Sequence, residues 1–166
     1  MKILVVWASR HGATEEVAHT IAEELTAAGH TVTSVAATDA PNPDAYDAVV
    51  LGSAVYMAQW EDSMRRYVNT HHDELLARPL WAFSVGLSGV PTGGVVDPVR
   101  VGPVLLKIQP REHRTFAGRL QPRELSLRER SIARLGGAVE GDFRDWNQIR
   151  AWAREVALQC SKLEGQ

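Results

Sequence analysis

The feature that most constrains this chain is an alternation. Five times a short apolar segment gives way to a turn and then to a segment with helical or loop character. Ile3 to Ala8 is an unbroken apolar run, as in a strand covered on both faces of a parallel sheet. After it, Val17, Ile21, Leu25 and Ala28 recur at helical spacing, with Glu15, Glu16, Glu23 and Glu24 between them and Gly29 as the stop. Thr31 to Val35 alternates like a strand nearer the sheet edge, and Asp39 to Asp44, with Pro41 and Pro43, reads as loop. Asp47 to Gly52 is a second buried strand, and the loop from Ser53 to Trp60 leads into one long helix ending at Arg78. Leu80 to Val85 is a further strand, followed by the Gly-, Ser- and Thr-rich loop from Gly86 to Gly94. Asp97-Pro98 opens a helix that Gly102-Pro103 interrupts, and Arg114 to Leu120 is the fifth strand. The last helix starts at Asp145 with Gln148 in capping-box spacing, then Trp146, Ile149, Ala153, Val156 and Cys160.

This order predicts an α/β fold, a doubly wound sheet of five parallel strands with helices on both faces, in one domain over residues 1–166. Right-handed crossovers place a ligand at the carboxyl ends of the strands. Three loops leave strands there: 9–14, 53–60 and 84–94, all rich in small or hydrogen-bonding residues.

Composition narrows the classes. With 45% hydrophobic and 23% charged residues the chain reads as an ordinary soluble protein, and a single cysteine excludes a disulfide framework or a multi-cysteine metal site. No apolar run reaches the ~18 residues of a membrane span. The short apolar start does not fit a signal peptide, so a cytoplasmic location is expected. Basic residues are not interleaved with stacking aromatics, so no nucleic-acid partner is expected, and no metal site is. The net charge of −2 conceals a division, for residues 107–134 hold 8 Lys/Arg against 3 Asp/Glu.

Ser9, Arg10, His11, Gly12, Ala13 and Thr14 form a tight turn into a helix, where open backbone N–H groups and the helix dipole favour an anion. Gly12 permits close backbone approach. The loop is neither GxxxxGK[ST] nor GxGxxG. A strand–helix turn with a threonine cap and no ligand is the plainer reading. An Arg-His-Gly turn also resembles the histidine phosphatase signature, but that chemistry needs a second histidine leaving another strand. His19, His30, His71, His72 and His113 do not follow buried strands.

Ser9 to Thr14 resembles the flavodoxin phosphate loop. The likeness continues through Tyr46 to Ser53, Phe83 to Leu87 and Asp145 to Ile149. Together these segments are similar to the menaquinone-dependent protoporphyrinogen oxidase branch of the flavodoxin-like family. The resemblance implies strand order 2-1-3-4-5 and bound FMN. Its site residues would be Ser9 to Thr14 for the phosphate, Ser53, Ala54, Val55, Tyr56, Met57 and Trp60 from the second loop, and Ser84, Val85, Gly86, Leu87 and Ser88 from the third. Tyr56, Met57 and Trp60 can wall a flavin ring, although Trp60 equally fits packing at a helix start. The third loop has no aromatic residue, leaving Leu87 or Val90 as its wall. Arg10 can add a charge-assisted phosphate contact.

No glycine lies between Tyr56 and Trp60. One-electron flavodoxin-like shuttles use a glycine peptide here, and left-handed geometry costs another residue about 1–2 kcal/mol. Two-electron chemistry is therefore expected, with no dependable protein acid or base and Tyr56 tuning the ring edge. The resemblance suggests a porphyrinogen-like reductant and a quinone or redox-protein acceptor. Residues 123–135, with Leu125, Leu127, Ile132 and Leu135 among Arg123, Arg128, Arg130 and Arg134, suit a peripheral membrane or partner contact, or a solvated helix over the sheet edge. An electron-transfer protein and a flavin-free interaction module are the alternative readings.

Overall fold

The computed structural model describes residues 1–166 except 89, 91, 92 and 94. In chain order the elements are β1 (Lys2–Ala8), α1 (Ala13–Ala27), β2 (Thr31–Ala36), β3 (Ala48–Tyr56), β4 (Gln59–Trp60), α2 (Asp62–Thr70), α3 (His72–Leu76) and β5 (Leu80–Gly86). There follow α4 (Gly102–Ile108), β6 (His113–Ala117), β7 (Arg119–Leu120), α5 (Leu127–Leu135), β8 (Gly141–Asp142) and α6 (Trp146–Glu164). The main sheet runs β2-β1-β3-β5-β6, all parallel. Counting only these parallel strands, that is the order 2-1-3-4-5, with the alternating β2 at one edge.

Two cores flank the sheet. On one face α1 and α6 close over Ile3, Val5, Val50, Trp81 and Phe83. Phe83, Phe116 and Trp152 meet there with ring centroids 5.7–6.2 Å apart. On the other face α2, α3 and α4 cover Leu4, Val6, Val49 and Leu51. Because β1 and β3 are covered on both faces, every residue from Ile3 to Val6 and from Ala48 to Leu51 is buried, which is why these strands read as unbroken apolar runs. Gly52 is fixed by packing: a Cβ there would lie 1.9 Å from the Phe83 ring.

Several boundaries differ from the sequence reading, each for a local reason. The long helix to Arg78 is broken at His71, whose φ of −114° lies outside helical geometry, so α2 and α3 are separate. Gly102-Pro103 starts α4 rather than interrupting a helix begun at Asp97, because proline in the first turn has no N–H to lose. The fifth strand stops at Ala117. Gly118 packs against Val85 and the Gly86 backbone, and β7 turns away to pair antiparallel with β8. Residues Ser53 to Tyr56 extend β3, so the second loop is in fact a β-hairpin closed by Val55↔Trp60 and Tyr56↔Gln59.

That hairpin has a two-residue turn, Met57-Ala58, with both residues at positive φ (53° and 62°). Such turns normally carry Asn-Gly, since the geometry is left-handed at both positions. Here surrounding contacts hold it. The Trp60 indole N–H donates to Ser84 Oγ (2.8 Å), Glu61 N donates to Ser53 Oγ (2.9 Å) and Arg100 N donates to the Ala58 carbonyl (3.2 Å). The loop thus adopts left-handed backbone at two residues that are not glycine, and these contacts offset its cost.

Candidate functional site

A cleft of about 650 Å³ opens at the carboxyl ends of β1, β3 and β5. It lies within the usual range of small-molecule sites, roughly 300–1,000 Å³. Ser9, Arg10, His11, Ala13 and Thr14 line it from the first loop, Ala54 to Ala58 from the hairpin, and Val85 to Ser88 with Val90 from the third loop. Gly12 stands just outside the lining and turns the chain into α1 at φ 87°. Thr92 and the neighbouring Gly89, Pro91 and Gly94 lie outside the described residues.

Three of the expected residues stand elsewhere. Ser53, Trp60 and Ser84 are buried beneath the cleft. Ser84 Oγ accepts from Trp60 Nε1 (2.8 Å) and shares a second hydrogen bond with His113 Nε2 (2.8 Å), so the hydroxyl ties the indole to the imidazole. Burial pulls the His113 pKa below its ordinary value, partly offset by Asp97. Trp60 is buried in the core, and among the described residues Tyr56 is the aromatic wall of the cleft. Among the described residues, His11 is the only histidine lining the cleft, so no second imidazole stands opposite it as a histidine phosphatase would require.

The first loop is built for an anion through its backbone. No side chain caps α1, so the N–H groups of its first turn are not taken by a capping oxygen. Ser9 Oγ accepts from Gly12 N (2.9 Å) and holds the turn. The nearby cations are already matched. Arg10 pairs with Glu61 (3.0 Å) and Glu129 (3.6 Å), and His11 Nε2 with Glu129 (2.7 Å). Arg119 lies between Glu16 (3.6 Å) and Glu124 (3.8 Å), while Arg144 bonds Asp142 (2.7 Å) and Glu16. Arg10 also lies over the Tyr56 ring, its guanidinium carbon 3.8 Å from the centroid.

Sequence reasoning missed the far wall. Gly118 to Gln121, Glu124 and Leu125 line the cleft, together with one face of α5 comprising Glu129, Ile132 and Ala133, and Gly136 at its C-cap. The signals were present: Ser126 and Glu129 form a capping box, and the i, i+3, i+4, i+7 spacing marks the inward face. Arg119 reaches the first loop from β7, its Nη2 donating to the His11 carbonyl (3.3 Å). Among the described residues its buried Nε has no partner.

This doubly wound sheet, with an uncapped helix start and a ligand-sized cleft at its topological switch point, defines a mononucleotide-binding α/β protein. Residues 4–146 match the flavodoxin domain family, and the chain belongs to that family. Membership indicates FMN as the cofactor. The chain is 27% identical over 177 aligned positions to protoporphyrinogen IX dehydrogenase [quinone] of Escherichia coli K12, covering 98% of both chains. A flavodoxin of Streptococcus pneumoniae TIGR4 superposes with TM-score 0.62 at 14% identity, over 96% of this chain and 99% of that one. Flavodoxin 1 of Bacillus cereus gives 0.57 at 19%, over 82% and 95%. These two structures share the fold.

The residues present fit FMN. The open first turn of α1 offers donors to a phosphate, the cleft volume suits a mononucleotide, and Tyr56, Leu87 and Val90 give apolar walls. No helix among the described residues is long and apolar enough to cross a membrane.

Proposed function

We propose that this chain is an FMN-dependent oxidoreductase that takes two electrons from a porphyrinogen-like reductant and passes them to a quinone. The observation that carries the reading is the cleft's construction. Three loops of a flavodoxin fold form its floor, and a helix absent from the sheet body forms a wall whose inner face is Ile132, Ala133 and Gly136. Full-length similarity to a protoporphyrinogen IX dehydrogenase, which extends through that added segment, supports the substrate class.

FMN, when bound, supplies hydride or two-electron acceptance. The chain's own residues bind and orient. The first turn of α1, with the Ser9 and Thr14 side chains, would hold the phosphate, and the 85–88 backbone with the 54–58 hairpin would hold the ring. The small residues of α5 leave room for a flat reductant and keep bulk water off the reacting face. His11 is held by Glu129 rather than free to shuttle a proton, so no protein acid or base is assigned and Tyr56 remains the candidate for tuning the ring edge. The outer face of α5, with exposed Leu127 and Leu135 beside Arg128 and Arg134, suits peripheral contact with an anionic membrane at its inner surface.

The test is anaerobic turnover of protoporphyrinogen IX by FMN-loaded protein with a menaquinone analogue. Quinone-dependent porphyrin formation is the expected result. An electron-transfer protein for a partner enzyme is the competing reading, and a stepwise reductive titration separates the two. The enzyme passes directly between oxidised and two-electron-reduced spectra, whereas a shuttle accumulates a long-wavelength one-electron form.

A further inference from the structure

Helix α5 is tied to the body of the protein in an unusual way. None of its residues is fully buried. Its other side-chain hydrogen bonds are local, from Arg130 to the Pro122 carbonyl and from Ser131 to the Leu127 carbonyl. Among the described residues, the only side-chain polar contacts from α5 to another part of the molecule are those of Glu129. Its Oε2 meets His11 Nε2 at 2.7 Å and the Arg10 guanidinium at 3.6 Å. Its Oε1 accepts from Ser126 N (3.4 Å), so both carboxylate oxygens are held. Burial works against the charged form, but the hydrogen bonds from His11 and Ser126 prevail and keep the Glu129 carboxyl below its ordinary pKa.

The carboxylate therefore rests on two side chains of the loop that also presents the open first turn of α1. A phosphate monoester brought to that turn carries close to two negative charges at neutral pH. It meets a resident anion on Arg10 and His11, and two like charges at short range in a partly buried site repel. Arg10 cannot escape the competition, because Glu61 holds it from the other side and Tyr56 lies under it.

We propose that Glu129 is an anionic bolt that holds α5 against the cleft and competes with the ligand phosphate for Arg10 and His11, so that phosphate binding and α5 docking oppose each other. This deepens the FMN reading and rests on it for the identity of the phosphate. The competition acts only on a phosphate-bearing flavin, because riboflavin, which lacks the group, does not contest these side chains; it therefore narrows the preference for FMN over riboflavin.

The test compares wild type with Glu129→Gln and Glu129→Ala in flavin-fluorescence titrations with FMN and with riboflavin. Hydrogen exchange of residues 127–135 is followed with FMN, with riboflavin and with inorganic phosphate. The bolt predicts that Glu129→Gln tightens FMN about tenfold and leaves riboflavin within about twofold. It further predicts that FMN or inorganic phosphate speeds exchange in α5 of the wild type, that riboflavin does not, and that both variants exchange fast throughout. Equal changes for FMN and riboflavin, or α5 protection increased by phosphate, would overturn the bolt while the FMN reading stood. If neither flavin binds, the FMN reading falls, and the response of α5 to inorganic phosphate alone decides the bolt.

Discussion

The sheet body and the 118–142 cap are built on different principles. In the body the central strands β1, β3 and β5 are locked by neighbours on both sides and by helices on both faces, and Phe83, Phe116 and Trp152 interlock within one of its cores. In the cap, β7 and β8 pair over two residues each, and α5 leaves Leu127 and Leu135 more than four-fifths exposed. The body is held by apolar burial and the cap by polar contacts, those of Glu129 from α5 and of Arg119 and Asp142 from β7 and β8. The rigid part can thus hold a cofactor while the thinly attached part regulates access to it.

Substitutions on either side of this divide should differ sharply. Trp152→Ala removes the ring at the aromatic junction and should cost about 3–5 kcal/mol in denaturant unfolding. A loss below about 1 kcal/mol would break the contrast. Ser84→Ala strands the Trp60 N–H and the His113 nitrogen in a buried site. The expected loss is about 1–3 kcal/mol, because unpaired buried polar groups are expensive.

The pH dependence of stability provides a smaller effect with a definite sign. His113 titrates below 6.5 in the folded protein, so the unfolded chain takes up the proton first as pH falls. Its contribution is complete above pH 6.5 and lost below it, and His113→Gln should flatten that acid limb in chemical unfolding at several pH values. Leu135→Ser on the outer face of α5 should change stability by less than about 0.5 kcal/mol. A large loss there would show that the cap has a core of its own.

The same divide explains what the sequence made legible. Ile3–Ala8 and Asp47–Gly52 announced themselves because strands covered on both faces must be apolar throughout. Val17, Ile21 and Leu25 marked α1 because it covers one face of the sheet. Ser9 to Thr14 was readable because a strand, a glycine turn and a helix start leave few uses for such a loop. Trp60 stayed open between the ring and the core because an aromatic residue at a helix start packs inward or outward with the same local sequence, and its inward place depends on Ser84, distant in the chain. Glu129 was invisible for a similar reason. Its capping box is local, but its second role depends on His11, 118 residues away.

Binding of FMN in the cleft through the first loop is tested most directly by an FMN titration followed by desalting and a visible spectrum. The prediction is one FMN retained per chain, an oxidised-flavin spectrum and quenched flavin fluorescence, all lost in a Gly12→Val variant that cannot hold the left-handed turn into α1. A colourless protein that leaves FMN fluorescence unchanged would contradict it.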